Sequence, residues 1–349
     1  VEKLGDAWVK KENYVGNGAY KLANHIINEK IEFERNPLYW NDKETVINSA
    51  TFLAIENPST DVARYRAGDL DMTNYGLPPE QFAKLQKELP GEVYITRTLA
   101  TYSYELNNKK APFDNVNVRK ALNLSLDRNV ITDKVLGQGQ TPTYVFTPTY
   151  IEEGHLIQQP AYSKEPMAQR NEEAIKLLEE AGYSKANPLK FTILYNTNEN
   201  HKKVAIAAAS MWKANTKGLI DVKLENQEWK TYIDSRRAGR YDAARAGWNA
   251  DYNQATTFGN YFLSNSSNNT AKYANPEYDK AIAESYVATD AEGRAKAYAK
   301  AEEILAKDFG IVPIFNYVNP RLVKPYVKGY SGKDPQDHIY LRNLYIIKH

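Results

Sequence analysis

The chain of 349 residues contains no cysteine. Disulfides, iron–sulfur clusters and thiol catalysis are thereby excluded, while the compartment stays open, because reducing and oxidising surroundings both tolerate a cysteine-free chain. No long block of one charge sign occurs. With 45 basic against 43 acidic residues there is no electrostatic footprint for nucleic acid or an anionic membrane. No apolar run approaches the roughly 18 residues of a membrane-spanning helix, and Val1-Glu2-Lys3-Leu4-Gly5 does not read as a signal peptide. Gly-x-Ser-x-Gly, His-Glu-x-x-His and a Walker glycine run are missing, and Gly137-Gln138-Gly139 alone is too weak for a dinucleotide loop. The five histidines, at 25, 155, 201, 338 and 349, lack metal-ligand spacing. Asp69 and Asp71 are simply neighbours on one strand face, a poor match to paired glycosidase carboxylates. An enzyme is therefore not expected, and neither is a resident metal or cofactor.

What is present begins with length, enough for two domains with real cores or one large one. Tyrosine is abundant, 26 residues, and suits half-wet aromatic surfaces of the kind that line clefts. Gly18–Leu22 and Ile31–Arg35 alternate as hairpin strands around Asn28-Glu29. Arg35–Asn41 follows as a packed loop, with Pro37 and two aromatics. A strand over Thr51–Ile55, a helix over Pro58–Gly68 capped near Ser59 or Thr60, a strand over Asp69–Met72 and a helix over Pro79–Leu89 give α/β grammar. Further helices are predicted from Asp114 to Leu126, Asp127 to Leu136, Pro166 to Gly182, His201 to Lys217 after Asn200, Glu277 to Ala288 and Asp290 to Ala306. Strands are predicted over Lys190–Tyr195, Val222–Glu225 and Phe315–Val318, the last beginning after Pro313.

The most informative stretch is Tyr241–Asn253, whose sequence is YDAARAGWNADYN. Its small apolar residues read as an inner strand, yet it carries Arg245, Trp248 and Asp251 where a pure core strand would carry Val or Ile. If extended, Arg245 and Asp251 share a face, with Gly247 between them leaving backbone groups open to close approach. A cation, an accessible strand edge and an anion suit a small zwitterion in extended form, and a short peptide is the commonest such molecule. Six strand residues span roughly 20 Å against roughly 10 Å for a tripeptide, so the chain must bend after Trp248. The plainer alternative is a structural ion pair with the arginine stacked on the indole.

Several spaced motifs agree in order with one family. Gly16-Asn17-Gly18-Ala19-Tyr20, Arg35-Asn36-Pro37-Leu38-Tyr39-Trp40, Arg66-Ala67-Gly68-Asp69-Leu70-Asp71, Phe113–Asn123 with Asp127-Arg128, and the ending from Ile311-Val312-Pro313-Ile314 through Arg321–Pro325 to His349 resemble the solute-binding proteins of peptide-importing ABC transporters. The resemblance runs over essentially the whole chain. It implies an α/β, two-lobe periplasmic binding protein of type II-like fold, with a hinge crossed by two segments and the family's N-terminal accessory domain absent. Residues 1–99 and 318–349 would form a partial lobe I, and 100–317 the lobe with most ligand contacts. The implied function is to bind short peptides in extended form, by backbone hydrogen bonds and terminal charge pairing, for delivery to membrane permease subunits. The implied setting is a monomer in the Gram-negative periplasm, anchored to the membrane, if at all, through a preceding segment. A dedicated receptor for murein tripeptide, glutathione or haem is the alternative, with a peptidoglycan-processing enzyme behind it.

The resemblance also assigns residues. Asp251 matches the aspartate that pairs with a ligand α-ammonium. Arg245, Arg236 and His201 match basic groups that meet the α-carboxylate of ligands of different lengths. Gly247 to Asn249 match the strand that bonds the peptide backbone, with Trp248 and Trp229 as pocket walls and Glu105 and Tyr317 as further lining. Each has a plain structural alternative: Arg236 beside Arg237 as a solvated helix face, His201 as a helix-start residue, Trp229 as core, Glu105 as a surface or ion-paired strand residue. Two departures stand out. A cysteine pair carried by many relatives corresponds to Ala100 and Asn249, and the usual Asn-Glu-Pro appears as Asn253-Gln254-Ala255.

Overall fold

The computed structural model describes residues 2–74 and 76–349. They fall into two compact units, one of residues up to Thr96 together with Asn319–His349, the other Arg97–Val318.

In the first unit β1 (Tyr20–Ile26), β2 (Lys30–Arg35) and β3 (Ser49–Leu53) form an antiparallel sheet in that order. The hairpin turn places Asn28 at φ 61°, a left-handed conformation that asparagine tolerates better than most residues. Helix α1 (Pro58–Ala67) is capped by Asn57, not by Ser59 or Thr60: the Asn57 side chain accepts from the N–H groups of both, and Pro58 opens the first turn. Gly68 closes it at φ 88°. Helix α2 (Pro79–Glu88) packs Phe82 and Leu85 with Val62, Tyr65, Leu77 and Leu322 into a core. The strand expected at Asp69–Met72 reduces to a single bridge between Met72 and Val323. The loop expected to be packed leaves Leu38 and Trp40 exposed, and its order comes from Arg35 Nε bonded to Asp42 Oδ1 at 2.5 Å.

The second unit is built on a six-stranded mixed sheet. Strand β4 (Val93–Leu106) enters it, followed by α3 (Val116–Leu124), a helical turn Val130–Leu136, the short β5 (Thr141–Pro142) and α4 (Met167–Glu180). Then come β6 (Leu189–Asn196), α5 (Glu199–Asn215), β7 (Ile220–Gln227), α6 (Trp229–Arg237), β8 (Ala243–Asn249), the short α7 (Thr256–Gly259), α8 (Pro276–Val287), α9 (Ala291–Lys307) and β9 (Ile311–Leu322). The sheet order is β5-β9-β4-β8-β6-β7, with β6 parallel to β7 and β8, and β4 antiparallel to β8. Helix α3 is capped by Asn115, one residue after the predicted Asp114, and α5 by Asn198, two before the predicted Asn200.

Strand β9 is longer than its prediction because it runs straight through Pro313 and Pro320. Pro313 offers no N–H to the sheet, and its carbonyl receives Arg128 Nε at 2.7 Å. Arg128, wholly buried, also donates to Thr143 O and Asn123 O and sits 4.0 Å from the Tyr144 ring centre. The cores lie on either side: Tyr104, Leu122, Ile193 and Trp212 in one, Phe146, Phe258, Phe262 and Ile282 in the other. Both chain passages between units occur inside strands, β4 after Thr96 and β9 after Val318, and these two strands are sheet neighbours.

Candidate functional site

Strand β8 organises the site. Its ladder with β4 runs from Ala243 to Asn249, whereas among the described residues its ladder with β6 stops at Ala244. Asp242 O bonds to Asn107 N and Ala250 N bonds to Leu99 O, so even-numbered residues turn their main-chain groups toward β4. By strand alternation, Gly247 and Asn249 turn theirs to the other edge, past the end of the β6 ladder. There Gly247 is half-buried and Asn249 exposed.

At one end of this edge lies Arg245. It is 8% exposed, donates Nη2 to the Tyr317 hydroxyl and Nη1 to Asn196 Oδ1 at 3.4 Å, and sits 5.1 Å from the Tyr102 ring centre. Four strands thus meet at one guanidinium: β8 through Arg245, β4 through Tyr102, β6 through Asn196 and β9 through Tyr317. Gly247 gives this fold-back room: a Cβ there would stand 2.9 Å from Arg245 Nη2 and 3.0 Å from Tyr317 Oη, and those side-chain ends would have to shift to admit it. His201 joins from the first turn of α5, its ring 5.6 Å from that of Tyr102. Burial, aided by the Arg245 charge, holds its pKa well below 6.5. Both causes favour the neutral imidazole over the charged one.

At the other end the strand stops at Asn249, and the chain bends through Asp251. Asp251 is exposed. Its N–H donates to Thr257 Oγ1 at 3.2 Å, and that hydroxyl returns a bond to Asp251 Oδ2 at 3.3 Å. The Trp248 indole N–H donates to Thr257 O at 3.0 Å, and its ring meets Tyr261 at 4.8 Å between centroids. Thr257 and Tyr261 were not indicated by the sequence, since their importance comes from where α7 folds back and not from any local pattern.

Arg236 and Glu105 come together. Glu105, on β4 and wholly buried, pairs with Arg236 at 2.9 Å, accepts from Tyr261 Oη at 2.6 Å and is also bonded by Thr270. Arg236, 9% exposed, donates further to Tyr261 and Thr270, each at 3.1 Å. The solvated-face alternative for Arg236 is thereby corrected, and Glu105 is an ion-paired strand residue. Trp229, in contrast, is 55% exposed at the start of α6 with its ring against Tyr232, so it is not core. Ala100 and Asn249, the positions matched to a cysteine pair, face each other across β4 and β8.

Among the described residues no cluster of three or more His, Cys, Asp or Glu side chains could hold a metal, and no helix is long and apolar enough to cross a membrane.

The fold is α/β, and the β8 edge carries Arg245 at one end and Asp251 beyond the other. Residues 1–270 match the family described as bacterial extracellular solute-binding proteins, family 5 middle, and the chain belongs to that family. It is similar to the periplasmic oligopeptide-binding protein of Haemophilus influenzae, 97% identical over 349 residues, which are 100% of this chain and 64% of that protein. The crystal structure of Haemophilus influenzae OppA in complex with RPPGFSPFR superposes with a TM-score of 0.96 at 96% identity, covering 100% of this chain and 68% of that one. The Escherichia coli murein tripeptide binding protein gives a TM-score of 0.92 at 43% identity, covering 98% and 66%. The chain thus spans 64% of the length of the curated relative. These names describe binding proteins, and the two-lobe α/β class expected from the resemblance is the one these structures share.

Proposed function

We propose that the chain belongs to the solute-binding component of an ABC importer and supplies the main recognition surface for short peptides held in extended form. The observation that carries this reading is β8: Gly247 and Asn249 present main-chain groups along an edge that has Arg245 before it and Asp251 beyond it. A peptide laid along that edge bonds through its backbone, which makes recognition indifferent to side-chain identity. Asp251 takes the α-ammonium. Arg245, supported by Tyr317 and by the neutral His201, takes the α-carboxylate. Trp248 and the exposed Trp229 wall the side chains. The oligopeptide and murein tripeptide names of the relatives support this cargo class. The partner is a membrane permease, the place the Gram-negative periplasm, and the working state a monomer that returns its ligand unaltered.

Native mass spectrometry of the purified protein tests the reading. A family of co-purifying short peptides, displaced intact by an added tripeptide in calorimetry, is expected. One defined mass retained against all peptides rejects it in favour of a dedicated receptor, and a cleaved ligand rejects it in favour of an enzyme.

A further inference from the structure

The resemblance groups Arg236 with Arg245 as a basic residue for the guest, yet its bonds, all made through Nη2, turn inward. Its Nη2 is held by Glu105, Tyr261 and Thr270, and Thr270 is fixed in turn by Tyr241, whose hydroxyl donates to Thr270 O at 2.6 Å. Glu105 is wholly buried and has no exposed surface to offer a ligand. What the pair does control is Tyr261. That phenol donates to Glu105 Oε1 at 2.6 Å and receives Arg236 Nη2 at 3.1 Å, so opposite charges fix its hydroxyl from two directions. The Tyr261 ring then stands edge-on to Trp248, 4.8 Å between centroids and 65° between planes. Trp248 and Asp251 converge on Thr257, the first through its carbonyl and the second through its hydroxyl. A continuous series of contacts therefore leads from the buried pair to the exposed carboxylate.

We infer that Arg236 and Glu105 are positioning residues, which act through Tyr261 to set Trp248 and Asp251 and do not touch a bound peptide. The inference rests on the peptide reading above, and it places their effect at the amino end of the guest, opposite to the carboxylate role suggested by the resemblance. The chemistry is that of preorganisation: a charged pair in a low-dielectric interior holds one ring in one place, so that the surface aspartate pays less ordering entropy on binding.

The test is calorimetry on the full chain with one tripeptide in three forms: unmodified, N-acetylated and C-amidated. Tyr261→Phe keeps the ring and removes only the hydroxyl. It is expected to weaken the unmodified and amidated forms by about threefold to tenfold, the worth of one buried hydrogen bond, and to change the acetylated form little. Arg236→Gln should show the same pattern, and adding Tyr261→Phe to it should cost little more. An Arg236→Gln penalty that vanishes with the amidated peptide, beside a silent Tyr261→Phe, would show that Arg236 meets the carboxylate directly and would overturn the inference. An equal loss on all three forms would also overturn it, because a residue that merely supports the fold has no preference for one end. If the unaltered protein binds none of the three, the peptide reading itself fails, a result distinct from either of these.

Discussion

Arg236 and Arg245 stand nine residues apart, are both less than one-tenth exposed, and do different things. Arg236 is matched to a carboxylate within its own fold, Glu105, and the two are locked further by Tyr261 and Thr270. Arg245 is bonded to a hydroxyl and a carboxamide, Tyr317 and Asn196, beside a glycine that leaves room over the strand. Similar burial thus accompanies two different sets of partners. At Arg236 an opposite charge is among the partners, whereas the hydroxyl and the carboxamide at Arg245 orient a guanidinium through neutral groups.

The largest effect expected from this contrast is on stability. Replacing Arg236 or Glu105 singly by Ala strands a buried charge and should cost about 3–5 kcal/mol in denaturant unfolding. The equivalent Arg245→Ala change should cost clearly less, and equal costs would erase the distinction. Next comes affinity: Asp251→Asn should weaken a tripeptide with a free amino end roughly tenfold to a hundredfold by calorimetry, the worth of one charge-assisted bond. Unchanged affinity would remove Asp251 from the site. Gly247→Ala sharpens the Arg245 side. The added methyl meets Arg245 and Tyr317 at about 3 Å, and overpacking of this kind costs about 1–3 kcal/mol, read as weaker binding with a small loss of melting temperature. The smallest effect concerns pH. The folded pKa of His201 lies well below its unfolded value near 6.5, so the unfolded chain takes up the proton first. The stabilising contribution of the neutral imidazole is complete above pH 6.5 and is lost as pH falls toward the depressed folded value. His201→Asn should flatten that part of the stability profile, and an identical profile would place the titration elsewhere.

Much of this was legible in the chain. The succession of β6, α5 and β7 followed from alternating patterns with turn residues between them, and the bend after β8 followed from the mismatch in reach between a straight strand and a small guest. Other features depended on distant partners. Asp114 and Asn115 are both good caps, and local preference does not rank them. Two prolines hid most of β9, because proline reads locally as a strand breaker and only the assembled sheet shows the strand running through Pro313 and Pro320. Trp229 reads as core by composition and is exposed because α6 turns its first residue outward. The abundance of tyrosine suggested cleft lining, yet Tyr104, Tyr232, Tyr261 and Tyr278 are interior, and Tyr232, Tyr261 and Tyr278 spend their hydroxyls on buried acceptors. Amphipathic rings serve a core with charged members as well as they serve a wet surface.

The unit Arg97–Val318 is one uninterrupted stretch whose two ends lie close together, since Thr98 Oγ1 donates to Tyr317 O at 3.2 Å. Such a segment lends itself to head-to-tail ligation, with a short linker closing it into a ring and new termini opened at a surface turn away from β8. The residues of β8 would travel with it intact, which makes this unit a scaffold that can be transplanted or permuted without severing the strand at its centre.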